Sequence, residues 1–222
     1  VGSTALDANT TGGYNVAIGH QAMHGNFTTA AVVDCVAIGV NALEATLTAD
    51  ASGTTAIGKA AGAAITSGQA NVLIGHESGT AITDGDYSTA VGYQTLKAQV
   101  KAGDTGNTAM GFKAGIAVTS GIYNVIIGRT AGFTANTMSG SVIIGAEAGK
   151  LATTANDSIA IGRLAMGGAT TTGDKNICIG FEAGRKLTTG HFNVIIGDEA
   201  GTNITTAREN VIIGKGAFAN AN

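Results

Sequence analysis

A five-residue phrase that always ends in glycine occurs twelve times along this chain of 222 residues. Successive phrase glycines are most often 17 residues apart, and the other intervals are 18 to 20 residues. A fixed period of this length is typical of solenoids, in which each repeat forms one coil stacked on the next. The sequence therefore predicts a single repeat domain over residues 1–222, which we expect to be a segment of a longer fibre protein. Its coils are centred on Gly19, Gly39, Gly58, Gly75, Gly92, Gly111, Gly128, Gly145, Gly162, Gly180, Gly197 and Gly214.

Each coil is expected to contain a polar residue, a three-residue strand and the glycine. The phrase opens with Asn in seven copies and with Ser in three, and stacked Asn side chains can form hydrogen-bonded ladders. Val, Ile, Thr and Ala dominate the next three positions, a composition rich in the β-branched residues that favour strands. The glycine is expected to take a positive φ or to allow a close backbone approach at a corner. The predicted fold class is all-β, a parallel β-roll or β-solenoid of about twelve coils of 17–20 residues.

A second short strand is predicted seven residues after each glycine. An apolar column that includes Ile65 and Ile82 is followed by a threonine column that includes Thr66 and Thr83. We expect the apolar side to face inward and the threonine side outward. The longer intervals place inserted loops at 20–34, 40–53, 93–106 and 163–175. Such loops often carry binding sites, and neutral drift in exposed turns explains them equally well.

The middle residue of the three-residue strand is never polar. A strand with one face in solvent alternates apolar and polar residues, so this strand is expected to be buried on both faces. One coil covers only the inward face, and the same strand in other copies of the chain is the simplest cover for the other face. The sequence therefore predicts a homo-oligomer. The residues predicted to face the neighbouring copies are Ala17, Ala37, Ala56, Leu73, Ala90, Ala109, Ile126, Ile143, Ala160, Cys178, Ile195 and Ile212.

The phrase resembles the head repeats of the trimeric autotransporter adhesins, the YadA-like family, and the related repeats of bacteriophage tail fibres. The segments N-V-A-I-G-H-Q-A at 15–22, S-T-A-V-G-Y-Q-T at 88–95 and N-T-A-M-G-F-K-A-G at 107–115 carry the likeness best. It covers about residues 14 to 218. The resemblance implies a left-handed β-roll in a homotrimer, with the V-x-I strands lining the interior of the trimer. The repeats here are longer than is usual in adhesin heads, because a threonine-rich turn is added.

Two functions follow from the resemblance, and both are non-enzymatic. The first is a trimeric phage tail-fibre shaft, a structural segment for host attachment located extracellularly on the virion. The alternative is the head of a trimeric adhesin on the bacterial outer surface, which would bind host matrix or cells. The expected partners are other copies of the chain, neighbouring fibre or tail proteins, and a host-surface glycan or protein. An anchor barrel elsewhere in the protein would favour the adhesin.

Composition argues against several other functions. Charged residues are 12% of the chain, about half of the usual ~25%. The net charge is −3 and Lys and Arg form no basic run, so we expect no nucleic-acid partner. No apolar run approaches the ~18 residues of a spanning helix, so no membrane insertion is expected. The two cysteines, Cys35 and Cys178, lie eight coils apart, roughly 40 Å at ~4.8 Å per strand. Each is expected to be a small buried side chain, with an interchain disulfide as the alternative for Cys178.

Side chains that could carry chemistry are scattered. The four histidines, His20, His24, His76 and His191, have no spacing that gathers three ligands, so we expect no metal, no cofactor and no catalytic residues. Paired carboxylates such as Glu182 and Glu199 more often form an exposed acidic patch than an acid–base pair. The candidate surface-binding residues are Tyr93 and Phe112, which share one column on neighbouring coils.

Overall fold

The computed structural model describes residues 2–7, 11–25 and 31–219. The described residues form an all-β parallel β-solenoid, and the only helical segment among them is a 3-10 turn at Ala49–Ala51. The chain divides into two compact units, Val1–Met110 and Gly111–Asn222, and the single repeat domain over residues 1–222 stays a prediction. Both units are built from the same kind of coil, with one three-residue strand for each copy of the phrase.

In the first unit, the six phrase strands pair in parallel in the order in which they occur along the chain. A minor sheet pairs two two-residue strands, Gly85 with Gly103 and Asp86 with Asp104. The strands of this unit are β1 (Val16–Ile18), β2 (Val36–Ile38), β3 (Thr55–Ile57), β4 (Val72–Ile74), β5 (Gly85–Asp86), β6 (Thr89–Val91), β7 (Gly103–Asp104) and β8 (Thr108–Met110).

In the second unit, six phrase strands pair in the same way. The register is exact, so Ile126 pairs with Ile143 and Ile143 with Ala160. Equivalent positions of successive coils therefore stack in columns. The strands are β9 (Val125–Ile127), β10 (Val142–Ile144), β11 (Ile159–Ile161), β12 (Ile177–Ile179), β13 (Val194–Ile196) and β14 (Val211–Ile213).

The glycine that ends each strand makes the corner of the coil, as predicted. All twelve phrase glycines have φ between 123° and 138°, a region that residues with a Cβ rarely adopt. Successive corners also lie against one another. A Cβ built on Gly145 would lie 2.7 Å from the carbonyl carbon and oxygen of Gly162. Conformation and space therefore both require glycine at this column.

The residue that opens the phrase forms a buried polar ladder along the stack. In the second unit, Ser158 Oγ accepts the backbone N–H of Asn176 at 3.2 Å, and Asn176 Oδ1 accepts the N–H of Asn193 at 3.1 Å. The Asn193 amide also donates to Asn176 Oδ1 at 3.0 Å and to the Ala207 carbonyl at 2.8 Å. Unpaired buried N–H groups cost about 1–3 kcal/mol each, which explains why Asn and Ser recur at this position.

Two positions share the filling of each coil interior: the middle of the strand and the fourth residue after the glycine. Where the middle residue is Ile, as at Ile143, the fourth residue is glycine, Gly149. Where the middle residue is Ala90, the fourth residue is Leu96, and both are fully buried. Four of the six coils with alanine in the middle of the strand have Met or Leu at the fourth position. Five of the six coils with a larger middle residue have glycine there. In these nine coils a large residue at one position is thus offset by a small residue at the other, as close packing requires. The large-for-small pairs are Ala17 with Met23, Ala37 with Leu43, Ala90 with Leu96, and Ala160 with Met166.

The predicted second strand is wrong for the described residues. Ile65 and Ile82 are buried as expected, but the chain there forms turns and bends. The physical reason is visible in the backbone bonds, since the N–H groups of Thr66, Ser67 and Gly68 all donate to the single carbonyl of Thr83. A strand would distribute those donors along a ladder of carbonyls.

Candidate functional site

The outward face of the phrase strands is a two-column apolar surface, which we call the strand face. In the strands of the second unit, the middle residue is buried and the residues on either side point outward, because successive side chains of a strand alternate between faces. All of those outward residues are Val or Ile. They are Val125, Val142, Ile159, Ile177, Val194 and Val211 in one column, and Ile127, Ile144, Ile161, Ile179, Ile196 and Ile213 in the other.

The first unit presents the same surface with more polar substitutions. Thr55, Thr89 and Thr108 occupy one column, and Met110 ends the other with 48% of its surface exposed. β-branched residues dominate both units. Six strands at ~4.8 Å spacing and a width of ~10 Å make a patch on the order of 300 Å² in each unit. Contiguous apolar patches of this size on a protein surface are often functional.

The residues predicted to face neighbouring copies lie on the opposite side of the strand. Ile126, Ile143 and nine others of that set have at most 8% of their surface exposed, and Ala17 is partly exposed. Their own coils bury them, so the assignment of these middle residues to an intermolecular face is wrong. The physical reason is the alternation of the strand, which turns the flanking residues outward. The eleven buried residues are Ala37, Ala56, Leu73, Ala90, Ala109, Ile126, Ile143, Ala160, Cys178, Ile195 and Ile212.

Tyr93 and Phe112, the candidate surface-binding residues, belong to different units and each is exposed. Tyr93 has 41% of its surface exposed and stacks on the His76 ring, with centroids 5.3 Å apart and planes 7° from parallel. Phe112 has 46% exposed, and the Lys113 ammonium lies 5.2 Å from its ring centroid. Both rings are engaged by a neighbouring side chain, and their binding role stays a prediction.

A cleft that the sequence did not predict lies in the second unit, beside the inserted loop at 163–175. Its volume is about 260 Å³. The 18-residue interval between Gly162 and Gly180 adds one residue there, and both Thr172 and Gly173 donate backbone N–H groups to the Thr188 carbonyl. The side chains that line the cleft belong to Thr172, Asp174, Lys175, Thr189, His191 and Phe192.

The carboxylates with perturbed pKa values are stabilised as anions. Hydrogen bonding by the Lys150 ammonium lowers the pKa of Glu147, and Lys97 followed by Gln94 lowers that of Glu77. Both are ion pairs on the surface. A general acid at neutral pH needs a raised pKa, so neither Glu77 nor Glu147 is suited to that role. Lys97, for example, joins its coil to the preceding one through Glu77 at 2.6 Å.

The histidines and acids do not converge on one site within the part of the chain described. His24 pairs with Asp7 at 2.8 Å between Nδ1 and Oδ1, while His20 is exposed and His191 borders the cleft. Glu182 holds Arg185 at 3.2 Å, whereas Glu199 is exposed. Among residues 2–7, 11–25 and 31–219, no three His, Cys, Asp or Glu side chains are grouped so that they could hold a metal ion. The same residues include no helix with the length and hydropathy needed to cross a bilayer.

Cys178 is expected to resist thiol reagents in the folded protein. Its side chain is fully buried in its coil, and this burial raises the pKa of the thiol to about 12. The thiolate is the reactive form, so reaction with an aromatic disulfide reagent at pH 8 should occur only after unfolding by denaturant. Cys35, whose thiol pKa is also raised by burial, should behave in the same way. Rapid labelling of native protein at Cys178, located by mass spectrometry, would contradict this burial and restore the interchain disulfide as an alternative.

Comparisons of this chain with models of protein families, with curated proteins and with solved structures found no match.

Proposed function

We propose that this chain is a non-enzymatic structural segment of a host-attachment fibre, a left-handed β-roll that assembles as a homotrimer. The strand face is the single observation that carries the proposal. Each coil buries its own interior, yet the second unit leaves two columns of Val and Ile on its surface. An apolar surface of this kind on a stack of coils is explained if other chains cover it. The equivalent strands of other copies match it in length, repeat and chemistry.

The number three and the left hand come from the resemblance to the repeats of trimeric adhesins and tail fibres. A trimer lets each copy place its strand face against two others around one axis, which closes the assembly and prevents open-ended aggregation. Of the two kinds of fibre, we favour the phage tail-fibre shaft, because each unit is built from the same kind of coil and presents outward columns of the same kind. A shaft uses a uniform surface of this kind for assembly. The adhesin head remains the alternative.

Replacing Ile144 and Ile161 with lysine is expected to convert the assembly to monomers without unfolding the coils. Both side chains lie on the strand face, where a lysine in the free chain can reach water. In an assembled trimer the same charges would be buried without partners, which is strongly unfavourable. Light scattering should give the monomer mass, and the circular dichroism spectrum should retain its β-sheet character.

Ser120→Lys serves as the matched control, because Ser120 is exposed in a turn outside the strand face. This variant should keep the mass of the unmodified protein. If the Ile144→Lys, Ile161→Lys variant also keeps that mass, the strand face is not the assembly surface. If the double variant becomes monomeric only with loss of its β-sheet spectrum, the two lysines act on folding and the argument from this face fails.

A further inference from the structure

We propose that the cleft beside residues 163–175 binds a sugar residue that carries a carboxylate, as part of an acidic glycan. The inference rests on the proposed attachment function and deepens it, since it names the class of ligand. The cleft combines an exposed aromatic ring, two nitrogen groups beside that ring, and hydroxyl groups at its margin. Its volume of about 260 Å³ lies just below the ~300–1,000 Å³ of small-molecule sites, which suits a single sugar ring.

Phe192 provides the apolar surface for the sugar. The side chain is 51% exposed, and its backbone has φ of 58°, a left-handed conformation that Tyr87 and Tyr123 share at the same position of their coils. Sugar rings have an apolar C–H face, which packs against aromatic rings.

Lys175 and His191 lie beside the ring and supply the polar contacts. The Lys175 ammonium is 5.4 Å from the Phe192 centroid, and the His191 ring meets Phe192 edge-on at 5.3 Å between centroids. Lys175 has no carboxylate partner among the described residues. An ammonium that forms no ion pair in the described residues, next to an exposed ring, is suited to a ligand that joins a carboxylate to an apolar face.

The remaining polar groups orient the ligand. Thr172 and Thr189 are exposed at the cleft, where their hydroxyls can donate to or accept from sugar hydroxyls. Asp174 has a structural role, because its Oδ1 accepts the Asn156 N–H at 2.7 Å. That bond fixes the backbone from which Lys175 projects. A few placed polar groups around an apolar surface are the usual composition of a ligand site.

The test is saturation-transfer NMR with sodium glucuronate on the whole chain, with glucose and acetate as matched probes. Glucuronate should show saturation transfer, glucose at least about fivefold less, and acetate none. Phe192→Gly and Lys175→Gly should each reduce the glucuronate signal at least about fivefold. Glycine suits the left-handed backbone at both positions, so these variants should fold. Tyr123→Gly is the control, since Tyr123 has the same φ of 58° and is 53% exposed.

Several results would overturn the assignment: no transfer from glucuronate, an equal signal from acetate or from glucose, or an unchanged signal in Phe192→Gly. A loss of signal in Tyr123→Gly equal to that in Phe192→Gly would overturn it too. Light scattering on the same samples separates this inference from the proposed function. A trimeric mass without glucuronate binding rejects the cleft alone, while binding by a monomer rejects the proposed assembly alone.

Discussion

An Ile143→Ala variant is expected to lose about 2–5 kcal/mol of unfolding free energy, and adding Gly149→Leu should restore a large part of it. Ile143 is fully buried. A Cβ on Gly149 would lie 3.0 Å from Ile143 Cδ1 and 3.2 Å from its Cγ2, and only Ile143 atoms are that close. Removing the Ile143 side chain therefore opens the space that a leucine at 149 would fill.

The coils with alanine in the strand show that this exchange fits the backbone. Leu96 has φ of 47° and Gly149 has φ of 51°, and the two residues occupy equivalent positions. Gly149→Leu alone should cost about 1–3 kcal/mol through overpacking. Denaturant unfolding of the two single variants and the double variant forms a double-mutant cycle. Additive losses would contradict shared filling of the interior. Ile144→Ala is the control, and Gly149→Leu should not rescue it, because Ile144 points outward.

A Gly197→Ala variant is expected to be destabilised far more than Gly214→Ala. The two glycines share a column and have φ of 138° and 123°, so both variants carry the backbone strain of about 1–3 kcal/mol. A Cβ on Gly197 would also lie 2.5 Å from the Gly214 carbonyl oxygen, whereas one on Gly214 has only Ala217 Cβ nearby, at 3.9 Å. The difference between the variants thus measures the collision between stacked coils.

We expect Gly197→Ala to lose at least about 2 kcal/mol more than Gly214→Ala, the scale of overpacking in a close-packed interior. Thermal and denaturant unfolding followed by circular dichroism would measure both losses. Equal losses would mean that backbone conformation alone explains the glycine column. The stacking of corners would then contribute nothing to the requirement for glycine.

The parallel solenoid and its corners could be predicted from the sequence because period and glycine position act locally. An interval of 17 residues between phrases determines the stacking, and a glycine after each strand determines the turn. The ladder of the opening Asn and Ser residues could be predicted for a similar reason, since buried polar side chains in a column must form hydrogen bonds along the stack. The second strand was not predictable from an apolar residue beside a threonine, because the donors of Thr66 and Ser67 converge on one carbonyl.

The prediction that the middle residues of the strands face neighbouring copies is wrong, although the sequence contains a signal for their true direction. Alternation alone shows that Ile126 and Ile127 lie on opposite faces but not which one is inside. The sizes of the middle residue and of the fourth residue after the glycine show which face is inside, because one is large where the other is small. Ala90 occurs with Leu96, while Ile143 occurs with Gly149. Two residues can compensate for each other in volume only if they are in contact, so the middle residue must lie in the coil interior with the fourth residue after the glycine. The cleft at Phe192 was not predictable, because it depends on how the loop at 163–175 lies beside the next coil.

The measurement that tests assembly through the strand face most directly is the solution mass of the 222-residue chain by light scattering. We expect a mass near three times the 21.8 kDa of one chain, independent of concentration over the micromolar range. A mass of 21.8 kDa with an intact β-sheet spectrum would contradict it, because the outward Val and Ile columns would then be stable in water without a partner.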